Sequence, residues 1–228
     1  SVLPQVPWLI LPPVGGYLLD HFGLWGMRLS FIISGIISVT VAVLRMKALQ
    51  ETISVKPVPR EQLVRKILGA YMFWRGLNGM PRFVLYVTLL GAVQSFSSVA
   101  MQTFGVLYAT TAVGVDNTAW GIIQSAATAV GIVFGLVLTP VIDKAPRTTA
   151  LFSGLLLIAV GYFLVSAWAS AVALTTAAII LGIGAEVAMS IRRAIVGDYI
   201  TPENRGRVMG LTLALEYIGS ILGGVIVG

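Results

Sequence analysis

The sequence predicts an all-α membrane protein, a polytopic bundle of helices. Three observations carry that prediction. Of 228 residues, 57% are apolar and only 11% are charged, against about 25% charged in a soluble domain. Long stretches carry no charge at all, from 83 to 115 and again from 148 to 185. The basic residues also segregate: alternate connections hold one and fourteen of the 15 Lys and Arg. A water-soluble globule is excluded, and so is a disordered chain, which would be poor in apolar residues.

A helix needs about 20 apolar residues to cross the hydrocarbon core. Residues 1–19 carry no charge but are crowded by Pro4, Pro7, Pro12 and Pro13, and read as the end of a helix that begins upstream. Residues 27–46 form the next span. One long span is predicted at 82–109 with a loop behind it, and another at 117–142. The charge-free run from 148 breaks at Trp168-Ala169-Ser170, giving spans at 148–167 and 172–194, and a last span begins near Val208. Runs of this kind are helices because lipid offers no partner to an open strand edge. Ser1 in place of Met, and an end at Gly228 inside an apolar run, read as an internal piece of a longer polypeptide, with no signal peptide visible.

Cytoplasmic connections carry the Lys/Arg excess. The segments around 45–82, 143–147 and 192–207 are therefore expected in the cytoplasm, and those at Arg28, Asp116 and Trp168 on the other side. The same segregation argues against nucleic acid as a partner: the net charge of +6 flanks spans and forms no binding face. Within the long basic connection, Leu63, Val64, Ile67, Leu68, Tyr71 and Trp74 recur at helical spacing. That amphipathic helix lies at the lipid headgroups or packs on the bundle.

The chain has no cysteine and a single histidine, His21, which removes disulfides, zinc sites and Cys or His nucleophiles. Asp20, Asp116, Asp143 and Asp198 all fall at span ends, away from aspartyl chemistry within the membrane. Gly-x-Ser-x-Gly is missing, as are His-Glu-x-x-His and the Gly-Lys-Ser/Thr of an ATP-binding loop. No catalytic residue, metal or cofactor is expected, and the protein reads as a non-enzyme.

Several short motifs, taken in order, carry a family resemblance. Leu11-Pro12-Pro13-Val14-Gly15-Gly16 is similar to Gly-Pro-x-x-Gly-Gly, a helix 5 signature of antiporters, with Leu11 where Gly is usual. Gly26-Met27-Arg28 followed by Phe31 looks like Gly-Trp-Arg…Phe at the start of helix 6. Asp143-Lys144-Ala145-Pro146-Arg147 matches the loop signature Gly-x-x-x-Asp-Arg/Lys-x-Gly-Arg-Arg/Lys at Asp143, Lys144 and Arg147. Pro202-Glu203-Asn204-Arg205-Gly206-Arg207 looks like the connection into helix 11. Together they resemble the major facilitator superfamily of transporters, from late helix 5 to most of helix 11 of twelve. An echo of Val14-Gly15-Gly16-Tyr17-Leu18 in Leu222-Gly223-Gly224-Val225-Ile226 is spaced suitably for one six-helix half.

The resemblance implies two six-helix halves related by an axis along the membrane normal. Residues 1–48 would close the N-terminal half, 49–81 would form the cytoplasmic connection, and 82–228 would make up the truncated C-terminal half. It implies a secondary active transporter in the cell membrane that moves a small organic solute by alternating access. Its partners would be that small-molecule substrate, the proton, the lipid bilayer and the missing N-terminal helices of the same polypeptide. Proton coupling is preferred to facilitated diffusion, and a non-transporting scaffold or receptor on the same fold is the main alternative. The resemblance also implies that Asp143, Lys144, Arg147 and Arg205 latch the cytoplasmic helix ends in one conformation.

Polar residues inside spans are costly and point to function. Thr88, Gly91, Ser95, Ser98 and Gln102 recur every three or four positions, with Gln94 beside them. Six such residues exceed what a helix–helix seam needs, at about 0.6 kcal/mol per interhelical hydrogen bond, so cavity lining is the favoured reading. Gln124, Thr128, Gly131 and Gly135 form a second stripe, with the glycines read as packing and Gln124 as lining or packing. Two carboxylates lie within spans: Glu186, roughly 9 Å from the basic end at the helical rise, and Glu216, roughly 13 Å deep. A buried carboxyl is easier to protonate, so either is a candidate for the substrate or proton cavity. The alternative is a gate in which Glu186 pairs with Arg192 or Arg193, or Glu216 with an arginine of the missing half.

Overall fold

A computed structural model describes residues 6–48, 81–142, 146–198 and 205–227. The described residues form helices and no strands: α1 (Val6–Phe22), α2 (Leu24–Ala48), α3 (Arg82–Leu107), a π-helical segment (Tyr108–Val113), α4 (Asn117–Ile142), α5 (Arg147–Ala167), α6 (Ala171–Asp198) and α7 (Arg205–Val227). All except α1 are long and apolar enough to cross a membrane. The amphipathic segment at 60–77 falls outside the described residues, as do Asp143 and Lys144.

The helix ends follow from local chemistry. Pro81 and Pro146 stand just before α3 and α5 in extended conformation, with ψ of 136° and 122°. Proline fixes φ and lacks the N–H that a first turn would leave unpaired. Gly23 (φ 53°) turns α1 into α2, and Gly114 (φ 78°) stops the π-helical segment; both take the left-handed backbone that glycine tolerates best. Ser170, the last residue of the break expected at Trp168-Ala169-Ser170, caps α6 by accepting from the Ala173 N–H at 3.2 Å. Span limits shift modestly from expectation. α2 begins at Leu24, and α6 runs on through Arg192 and Arg193 to Asp198.

Among the described residues, α5 and α6 run antiparallel, with Gly154 on Gly184 and Gly161 on Leu181, and so do α1 and α4, with Gly16 on Asn117 and Gly121 on Pro12. Arg147 and Asp198 thus meet at one end of the bundle, the basic one, and Asp20 and Asn117 at the other, which is poor in charge. α5 packs along α6, α3 along α7, α4 along α6 and α1 along α4. Without a hydrophobic force between helices in lipid, close approach is achieved with small residues. A Cβ on Gly154 would stand 3.1 Å from the Gly184 carbonyl, and one on Gly184 would stand 2.8 Å from that of Gly154. On the α1–α4 seam, Gly16 lies against the backbone of Asn117, and Gly121 against that of Pro12. The Gly-Gly echo does not place equivalent residues alike. Gly16 and Gly223 are the packed members of their pairs, whereas a Cβ on Gly15 meets nothing within 4 Å. Gly131 approaches Gly182 of α6, so that glycine of the motif lies in a close helix contact.

Candidate functional site

Five of the six residues expected at a substrate or proton cavity come together. Gln94, Ser98 and Gln102 from α3, Gln124 from α4 and Glu186 from α6 line one cavity of about 250 Å³. The helical repeat explains the convergence: positions 94, 98 and 102 are one turn apart and share a face. Met101, Ala127, Ile158 and Leu181 add apolar wall, and Thr128 and Tyr162 add hydroxyls. The Tyr162 hydroxyl donates to the Ser97 carbonyl at 2.8 Å, tying α5 to α3 beside the cavity. Ser98 and Thr128 donate to carbonyls of their own helices at 3.0 and 2.9 Å. Gln94 Oε1 is buried without a hydrogen-bond partner among the described residues. The surface thus combines three amides, one carboxylate and apolar patches, a lining suited to a small solute with both polar and apolar parts.

Glu216 is not in that wall. It pairs with Arg192 across α6 and α7, with Arg192 Nη1 donating to Oε1 at 2.9 Å. The two side chains are 13% and 26% exposed. The arginine beside Glu216 is therefore one of the described residues of α6, where the gate reading placed an arginine of the missing half. Gly91 explains how the pair fits: a Cβ there would overlap the guanidinium. That glycine belongs to the predicted polar stripe, but its role is to leave room for a charge. The pair borders a second cavity, of about 470 Å³, between α3, α6 and α7.

Of the four expected latch residues, only the Arg147 side chain is described. It meets Asp198 at 2.7 Å, joining the first residue of α5 to the last of α6. Each charge alone sits at the unfavourable end of its own helix dipole, so the pair relieves both. Arg205 begins α7.

A contact not anticipated from sequence lies at the charge-poor end. Asp20 of α1 accepts from the Thr118 N–H at 2.7 Å, the Thr118 hydroxyl at 2.6 Å and the Asn117 side-chain amide at 2.7 Å. A fourth bond comes from the Asn117 N–H at 3.3 Å. Asp116 accepts from the Ala119 N–H at 2.6 Å. Two aspartates, one local and one from another helix, thus satisfy the donors that open α4. The side-chain bonds from Thr118 and then Asn117 hold the Asp20 carboxyl down to about 2, from 3.8. The signal in the sequence was the pair of short connections that bring Asp20 and Asn117 to the same end of the bundle.

The Major Facilitator Superfamily is the family whose model matches this chain, over residues 5–227. No curated protein matches it.

Proposed function

We propose that this chain, which belongs to the major facilitator superfamily, carries a small organic solute across a membrane by alternating access, coupled to protons. It is a multi-pass membrane protein of a transporter family. The observation that supports the finer reading is the convergence of Gln94, Ser98, Gln102, Gln124 and Glu186 on one cavity in a bundle whose core clusters are otherwise apolar. Ionisable and amide groups are expensive at membrane depth and are retained where they serve a solute or an ion.

In this reading α1 and α2 end one half, α3–α7 make most of the other, and the halves rock about a central site. The amides orient the solute, and Glu186 takes the proton. Glu216 does not, because Arg192 engages its carboxylate. The basic end faces the cytoplasm, where Arg147 and Asp198, beside Asp143, Lys144 and Arg205 in the chain, latch the helix ends.

Proteoliposomes holding the full-length transporter test this. A panel of labelled organic solutes is offered under an imposed pH gradient, with and without a protonophore. A transported solute accumulates above equilibrium, and Glu186→Gln lowers gradient-driven accumulation at least tenfold. Gln102→Ala raises the half-saturating concentration. Accumulation indifferent to the protonophore and to Glu186→Gln contradicts proton coupling. Absence of any flux, with partner binding intact, identifies a scaffold instead.

A further inference from the structure

The second cavity has a different chemistry from the first. Among the described residues its charged groups are Arg192 and Arg193 from α6 and Glu216 from α7, two cations against one anion. The hydroxyls of Thr88 and Thr212, also in its wall, donate to the backbone carbonyls of Val84 and Val208 at 2.8 and 3.0 Å. The strong donors left in this wall are therefore the arginines. Arg192 carries five N–H donors. One bond runs to Glu216, and Nε is buried with no acceptor among the described residues. A guanidinium so nearly removed from water is under-satisfied, and anions are the ligands that its planar fork matches best. Val87, Met189 and Leu213 supply apolar wall beside it.

We infer that this cavity binds a small organic anion, a carboxylate on an apolar body, and that Glu216 is its internal competitor. The incoming carboxylate bonds the Arg192 guanidinium, with Arg193 adding charge of the same sign. Glu216 holds Arg192 in place while the cavity is empty of ligand and opposes the anion through its own charge. Gly91 is the structural condition for this arrangement, since any side chain there would intrude on the guanidinium. The site is distinct from the amide-lined cavity, and its occupancy does not require transport.

Equilibrium binding of benzoate to the purified full-length protein, in uncharged detergent at fixed chloride and pH, tests the assignment, with benzamide as the neutral isostere. Benzoate is expected to bind and benzamide to bind at least tenfold more weakly. The variants should move affinity in opposite directions: Glu216→Gln tightens benzoate about tenfold by removing the competing charge, and Arg192→Gln weakens it about tenfold or more. Arg193→Gln weakens it less. Melting temperatures confirm that each variant is folded, and the near-isosteric Glu216→Gln carries the test if Arg192→Gln does not fold. Equal binding of benzoate and benzamide, or a Glu216→Gln affinity no tighter than the parent's, overturns the proposal. Solute flux through the other cavity is unaffected by that outcome.

Discussion

Glu186 and Glu216 look alike in the sequence and lie in different surroundings. Each is a lone carboxylate in an apolar run, one on α6 and one on α7. Glu186 shares its cavity with three glutamine amides, whereas Glu216 is bonded to Arg192. The difference teaches that depth along a helix indicates where a charge is costly but not how the cost is met. Glu186 stands in a wall of amides, hydroxyls and apolar groups. Glu216 stands beside a guanidinium that bonds it across two helices.

The largest effect expected from breaking this contrast is on stability. Arg192→Gln strands the Glu216 carboxylate. Removing one partner of a fully buried pair costs about 3–5 kcal/mol; with both side chains partly exposed, about 2 kcal/mol is expected here. Denaturant titration in mixed micelles measures it. Arg192→Gln with Glu216→Gln should recover most of the loss, because no uncompensated charge remains. A double variant as unstable as the single would show that packing, and not charge, dominates at this position.

A smaller effect sharpens the same point. Gly91→Ala places a methyl where the guanidinium sits, and overpacking of this kind costs about 1–3 kcal/mol. In an Arg192→Gln background the penalty should fall below about 0.5 kcal/mol. Equal penalties in both backgrounds would locate the constraint at the Glu216 carboxylate instead, whose Oε1 would stand 2.9 Å from that Cβ.

The two ends of the bundle extend the comparison to exposed groups. Asp20 should respond to substitution and not to ordinary pH. Its carboxyl is depressed in the folded protein, so its contribution is fully present above 3.8 and is lost only as pH falls through about 2. Hydrogen exchange at Asn117 and Thr118 should be insensitive to this group between pH 5 and 8, once intrinsic exchange is allowed for. Asp20→Asn should speed it about fivefold by weakening the charge-assisted bonds. Arg147→Ala is expected to change stability least, by about 0.5 kcal/mol or less, since both partners are substantially exposed. Any effect of that substitution on flux then reports on conformational balance.

Most of the fold was legible because a membrane reduces the problem to counting. Uninterrupted apolar runs gave the spans, and the charges between them and Trp168-Ala169-Ser170 marked the breaks. The polar positions on α3 were legible for the same reason, but the predicted stripe divides: Ser98 and Gln102 line the amide cavity with Gln94, whereas Thr88 lines the other cavity and Gly91 lies against Arg192. What was not legible depended on which helices become neighbours. The Arg192–Glu216 and Asp20–Thr118 contacts join different helices, and neither spacing nor charge specifies the partner. Gly91 shows the limit most clearly. Its place in the stripe was visible, but its purpose required knowing that an arginine from α6 lies against it.

The reading as an alternating-access transporter rests on the amide-lined cavity opening to each side in turn. These 228 residues contain no cysteine, so Ser98→Cys introduces a unique thiol among them. Its reaction with a membrane-impermeant thiol reagent, added to right-side-out and then to inverted vesicles, measures the claim directly. Labelling from both sides, slowed by a transported solute, is the predicted result. Labelling from one side only, or from neither, would contradict it.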